Sequence, residues 1–139
     1  MSIQVLTSDN QTYDLSIEAA CQSTLLKNII EDLGGTSNTI PLPNITSVVF
    51  TPIKEWCVEY LENNETMDEA WKPRLDQMEN GLILDILIAL DYLDIKPFSI
   101  LCCKVMGGRI KGKSIEEICK ILRYQPGEVF GNPGAPVGH

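Results

Sequence analysis

Residues 81–93, GLILDILIALDYL, constrain the fold of this chain more than any other stretch. Leu82, Ile83, Leu84, Ile86, Leu87, Ile88, Leu90 and Leu93 fall on every side of the helix predicted there. A helix that is apolar all round must be covered all round. Either it lies wholly inside one core, or the core covers part of it and another molecule covers the rest. Periodicity divides evenly between the two. The following segments add to the demand. Pro97 opens a helix to about Ile110, with Phe98, Ile100, Leu101, Val105 and Met106. Ser114 opens another to about Leu122, with Ile115, Ile118, Ile121 and Leu122.

Bulk properties remove several functions. A chain of 139 residues is one domain and can bury a core without disulfides or a metal. The net charge of −8 argues against nucleic acid and against an anionic membrane surface, since both need clustered Lys and Arg. The nearly apolar run 82–90, broken by Asp85, is far shorter than the ~20 residues that span a bilayer. The opening MSIQVLTSDN lacks the basic and apolar regions of a secretory signal, so a reducing compartment is expected. The five cysteines (21, 57, 102, 103, 119) form no CxxC pair, and the sole histidine is His139. No zinc site, Cys–His pair or cofactor is expected from them; they read as small buried apolar side chains.

Residues 2–7 alternate around Ile3 and Val5, and 12–15 around Tyr13 and Leu15, with Asp9 and Asn10 between them. That pattern predicts a β-hairpin. Ser16 or Ser23 caps a helix running to Leu33, which Gly34-Gly35 ends. Residues 39–43, TIPLP, predict a short strand that two prolines confine to a sheet edge. A helix follows with Ile53, Trp56, Cys57, Tyr60 and Leu61 on one face. Its favoured start is Thr51 as cap with Pro52 at the first helical position. Residues 62–70, ENNETMDEA, read as a solvated linker, and QPGEVFGNPGAPVGH, with four Gly and three Pro, as a flexible tail.

Two features imitate catalytic sites. Residues 107–114, GGRIKGKS, fit the phosphate-loop pattern G-x-x-x-x-G-K-[ST], with Lys113 and Ser114 in the reactive places. A nucleotide hydrolase on this motif needs several parallel buried strands, and only a hairpin and an edge strand are available. The same letters are explained by Gly112 ending one helix and Ser114 capping the next, with Glu117 completing a capping box. Lys111 and Lys113 would lie near a helix C-terminus, where cations are favoured. Adjacent acids such as Glu116-Glu117 point apart on a helix, and neither that pair nor Asp91 near Asp94 reads as carboxylates facing each other across a cleft. An enzyme is not expected.

The segments LDYLDIKP (90–97) and CCKVMGGRIKGKSIEEI (102–118) resemble the Skp-type adaptors (S-phase kinase-associated proteins) of SCF ubiquitin ligases. The usual runs of that family are close to NYLDIK, CK and MIKGKTPEEI. SIQVLTSDNQTYDLS and STLLKNIIEDLG are similar to its first hairpin and helix, PLPNI (41–45) to its PLPNV, and Trp56-Cys57 to its WC pair. Trp71 falls at the Trp of its WDxxF motif. The resemblance spans about residues 2–122 in one order. It implies an α+β chain of BTB/POZ fold, with a small three-stranded sheet, a helical bundle and C-terminal helices. Residues 1–66 would form its N-terminal half, 67–123 the C-terminal and docking helices, and 124–139 the tail.

The same resemblance implies an adaptor that bridges a cullin scaffold and F-box proteins for ubiquitin-dependent degradation, in the cytoplasm and nucleus. Cullin contacts map to Asp91 and Tyr92. F-box contacts map to Ile83, Leu87, Cys103, Met106 and Ile110. This favours a docking face over a purely internal role for the apolar helices. The chain departs from the family in four places. Asp91 replaces Asn, Lys72-Pro73-Arg74-Leu75 follows Trp71, and Ser99 stands where Leu is usual. A Pro/Gly-rich stretch takes the place of two further helices and a WCxEK ending. The alternative function is therefore a shortened paralogue that binds one partner and competes with the full-length adaptor. Exposed apolar surface also predicts weak self-association.

Overall fold

The structure is a computed structural model and describes residues 2–33 and 39–122. The hairpin forms where alternation predicts it. Strands β1 (Ser2–Thr7) and β2 (Thr12–Ser16) pair antiparallel, with Ile3 opposite Leu15 and Val5 opposite Tyr13. Ile3, Val5 and Leu15 are buried, while Gln4, Thr12 and Asp14 face outward. Asn10 takes the left-handed turn position at φ 64°, which its short polar side chain tolerates. Strand β3 (Thr39–Leu42) lies parallel to β1, giving the order β2-β1-β3. Pro41 therefore sits on an edge strand, as its missing N–H requires.

The two candidate caps, Ser16 and Ser23, both act, each on its own helix. Ser16 Oγ accepts from Ala19 N at 3.1 Å and opens the single turn α1 (Ile17–Ala20). Ser23 Oγ accepts from Leu26 N at 3.1 Å and opens α2 (Thr24–Leu33). The stop assigned to Gly34-Gly35 lies outside the described residues.

Helix α3 spans Ser47–Asn63, so the start expected at Thr51 is corrected, and Pro52 lies inside the helix. An interior proline costs about 3 kcal/mol. The earlier start buries Val49 and Phe50, worth about 1.5–3 kcal/mol each, which outweighs that cost. The carbonyl that loses its donor to Pro52 is that of Val48, on the exposed side of the helix. The start is also fixed from outside. Thr46, at the cap position, makes no side-chain capping bond. Asp9, in the hairpin turn, accepts from Ser47 N at 2.9 Å and from Ser47 Oγ at 2.5 Å.

The linker expected at 62–70 is also corrected: it shrinks to a turn at 64–66, because α4 (Met67–Asp76) begins inside it. Met67, Trp71 and Leu75, four residues apart, are buried and anchor that helix. Its polar letters are the outer face, with Asp68 and Glu69 in the first turn, where the helix dipole favours acids. Arg74 ties α4 to α3 through two bonds to Glu59, at 2.8 and 3.1 Å.

Helices α5 (Asn80–Leu93), α6 (Lys96–Ile110) and α7 (Ile115–Leu122) follow close to their predicted bounds. Phe98 of α6 lies flat on Trp56 of α3, centroids 5.0 Å apart and planes at 4°. It meets Trp71 of α4 edge-on, at 5.3 Å and 66°. Tyr60 also stacks on Trp56, with centroids 4.5 Å apart. Such pairs add about 0.5–1.5 kcal/mol beyond area burial.

Two expectations follow. Phe98→Ala removes the shared ring and lowers stability by about 3–5 kcal/mol, read by urea denaturation. Asp9 is held at a pKa of about 2 against an ordinary 3.8, first by the Ser47 hydroxyl and next by that of Thr7. A depressed folded-state pKa means its stabilisation is complete above pH 3.8 and is lost as pH falls toward about 2. Asp9→Asn keeps a neutral acceptor but removes this titration. Its melting temperature falls less steeply than wild type across that window in circular dichroism; parallel curves would refute the assignment.

Candidate functional site

The last turn of α5 carries Asp91 and Tyr92, and both are exposed, Tyr92 by 44%. The helix end beneath them is fastened in three ways. Asp94 takes the left-handed C-cap conformation, and its N–H and that of Ile95 donate to the Leu90 carbonyl at 2.7 and 3.2 Å. Ser23 Oγ donates to the Leu93 carbonyl at 2.6 Å, and Thr24 N to that of Asp94 at 3.2 Å. Carbonyls that would otherwise be orphaned are thus satisfied by the start of α2. The Asp94 carboxyl is held below its usual range, chiefly by Lys96 and then by Thr24. One turn back, Ile88 is 69% exposed and joins Asp85 and Ala89 in a groove closed by Asn44, Thr46 and Val49.

The five residues mapped as F-box contacts do not share one surface. Ile83 is 0% exposed and Met106 5%. Ile83 lies on the inner face of α5 with Ile86, Leu90 and Leu93. Met106 lies on the inner face of α6 with Phe98, Leu101, Cys102 and Val105. Neither offers a side chain to another molecule in this conformation. Leu87 and Ile110 are half-buried, and Cys103 is exposed. The outer face of α6 instead runs Ile100, Cys103, Gly107, Ile110, at steps of three, four and three. Ile100 is 55% exposed, and Ile115, at the start of α7, 80%. Helical spacing leads from Cys103 back to Ile100, but between Cys103 and Ile110 it admits Met106 as readily as Gly107, so the letters do not separate the two.

The apolar helix α5 is therefore mostly core. Ile83, Ile86, Ala89, Leu90 and Leu93 are buried, Leu82, Leu84 and Leu87 are partly so, and only its Ile88–Tyr92 side is open. Burial of the cysteines is likewise divided. Cys57 and Cys102 are buried, and desolvation pushes each thiol up to about 12. Cys103 is exposed and Cys21 half-buried, which corrects the uniform burial expected. Cys119 lies outside the described side chains.

The phosphate-loop letters have a different structure. Residues 107–110 are the final turn of α6, and Gly112, at φ +77°, turns the chain toward α7. Ser114 Oγ accepts from Glu117 N at 3.2 Å, while the Glu117 carboxylate accepts from Ser114 N at 3.3 Å. This is the reciprocal capping box. Residues 107–110 are thus wound into α6, while the amides of Lys111, Lys113 and Ser114 donate to the Gly107 and Ile110 carbonyls and the Glu117 carboxylate. Among the described residues no three His, Cys, Asp or Glu side chains are placed to hold a metal, and no helix is long and apolar enough to cross a membrane.

Comparison with known proteins agrees with this architecture. The family described as "Skp1 family, tetramerisation domain" matches residues 1–62. The E3 ubiquitin ligase complex SCF subunit sconC of Talaromyces marneffei is 32% identical over 139 residues, 90% of this chain and 87% of the relative. The protein of the same description from Emericella nidulans is 34% identical over 134 residues, 87% and 83% of the two chains. The SCF ubiquitin ligase complex protein SKP1a of Dictyostelium discoideum is 31% identical over 135 residues, 88% and 83%. Likeness on this scale, carried by a three-stranded sheet packed on helices as the BTB/POZ fold requires, means that the chain belongs to the Skp1 family.

Proposed function

We propose that this chain is the adaptor subunit of an SCF-type cullin ubiquitin ligase, bridging a cullin scaffold and F-box proteins for ubiquitin-dependent protein degradation. The observation that carries the reading is likeness to SCF subunits over nine-tenths of the chain. The surface supports it with two exposed apolar sets on different helices. Ile88 and Tyr92, with Asp91, would meet the cullin. Ile100, Cys103, Ile110 and Ile115, flanked by Leu87, would meet the F-box helix, while Ile83 and Met106 support them from within. Work in the cytoplasm and nucleus belongs to the same reading, and the four cysteines that are free among the described residues suit a reducing compartment.

Isothermal titration of the full chain tests the bridge, first with an F-box segment and then with a cullin N-terminal domain. Binding to both at micromolar concentration or tighter is expected, and binding to neither sinks the proposal. Cullin binding alone would reveal a competitor. Tyr92→Ala weakens cullin binding about tenfold or more if Tyr92 is a buried anchor, and leaves F-box binding in place.

Thiol labelling gives an independent check. Maleimide at neutral pH modifies Cys103 in the native chain, while Cys57 and Cys102 stay protected until denaturant is added. A bound F-box segment slows labelling at Cys103; an unchanged rate removes that residue from the interface. Without partners, the uncovered apolar side chains predict a size that grows with concentration in sedimentation.

A further inference from the structure

The side chain of Arg109, on α6, is bonded to residues of two other helices. Its Nη1 donates to Asn80 Oδ1 at 2.7 Å, and its Nη2 donates to the carbonyls of Leu75 and Asp76 at 2.9 and 3.2 Å. Leu75 and Asp76 end α4, and Asn80 begins α5. The guanidinium therefore caps the C-terminus of one helix and grips the first residue of the next. In the family run MIKGK the residue at this place is Met.

The helix turn that carries Arg109 is weak by composition. Gly107 and Gly108 precede it, both in helical conformation and both exposed. Glycine gives up more conformational freedom in a helix than any other residue. Packing does not demand it here, because a Cβ on either residue would meet nothing within 4 Å. Just beyond, Lys111 leaves the helix in extended conformation and Gly112 turns at φ +77°. A pliable turn and a sharp bend thus flank Arg109, whose side chain is bonded to two other helices.

We propose that Arg109 is a positioning residue: it latches the α6–α7 junction onto the α4–α5 corner and so sets the pose in which Ile110 and α7 meet a partner helix. The inference rests on the F-box docking reading for its partner but not for its latch. The two glycines leave the junction free to swing; the latch selects one orientation and lowers the ordering cost of docking. Arg109 need not touch the partner.

The test is hydrogen exchange on the full chain, wild type against Arg109→Ala, Asn80→Ala and the double variant, with titrations of an F-box segment and a cullin N-terminal domain. Arg109→Ala is expected to speed exchange at 75–80 and 107–122 and leave the hairpin and α3 protected. Its F-box affinity falls about tenfold, the scale of lost hydrogen bonds to a charged group. Cullin affinity stays within about twofold, because Asp91 and Tyr92 are fastened separately by α2. Asn80→Ala adds little on top of Arg109→Ala. If Arg109→Ala unfolds, Arg109→Lys, which keeps the charge and loses the fork, is expected to give a partial loss of the same selectivity.

Unchanged exchange at 107–122 overturns the latch. A parallel fall in F-box and cullin affinity overturns it too, since that would make Arg109 an ordinary stabiliser. A wild-type chain that ignores the F-box segment refutes the docking reading, and the exchange data still decide the latch.

Discussion

The stacking of Phe98 on Trp56, with Trp71 at its edge, is the contact on which the rest of the structure depends. The three rings come from α6, α3 and α4, and each of those helices carries a different obligation. Through α3 the cluster reaches the sheet, since Tyr13 of β2 packs edge-on against Phe50 at 5.0 Å. Through α4 it reaches the corner that Arg109 grips. Through α6 it sets which side of that helix faces inward, and so which residues remain outside. All three rings are buried almost completely, where dispersion between close-packed atoms accumulates.

Around that apolar centre, a few polar groups join helix ends that lie far apart in sequence. Ser23 caps α2 and in the same gesture donates to the end of α5. Asp9 in a hairpin turn begins α3. Arg109 of α6 closes α4 and holds the side chain of Asn80 at the start of α5. In each case an orphaned backbone group is satisfied by a distant side chain rather than by a local cap. The exposed faces are consequently held by different parts of the molecule: the Asp91–Tyr92 turn by α2, the α6–α7 junction by the α4–α5 corner.

Local patterns were legible in the sequence, and pairings across distance were not. The hairpin, the edge strand with Pro41, the bounds of α5 to α7 and the Ser114–Glu117 box all follow from neighbours within a few residues. The start of α3 did not, because its cap comes from Asp9. The parallel pairing of β1 with β3 leaves no local mark, since the two strands meet across α1 and α2. Helix α4 was hidden because only Met67, Trp71 and Leu75 are apolar at four-residue steps in a polar stretch. At the candidate site, Asp91, Tyr92 and Cys103 lie at the surface, while Ile83 and Met106 are buried. In a helix apolar on all sides, letters alone cannot tell the inner face from the outer; the stacking of Phe98 decides it.

The hydrogen bonds from Ser47 to Asp9 have a consequence in time. The two residues are 38 positions apart, so the carboxylate in the hairpin turn emerges from the ribosome well before the helix it begins. Until Ser47 arrives, Asp9 lacks the two donors that Ser47 supplies and β1 lacks its parallel neighbour β3. A two-stranded ribbon of this kind is marginal in water on its own. The sheet is thus completed only when synthesis has passed β3 and Ser47, and the hairpin strands wait for partners made after them.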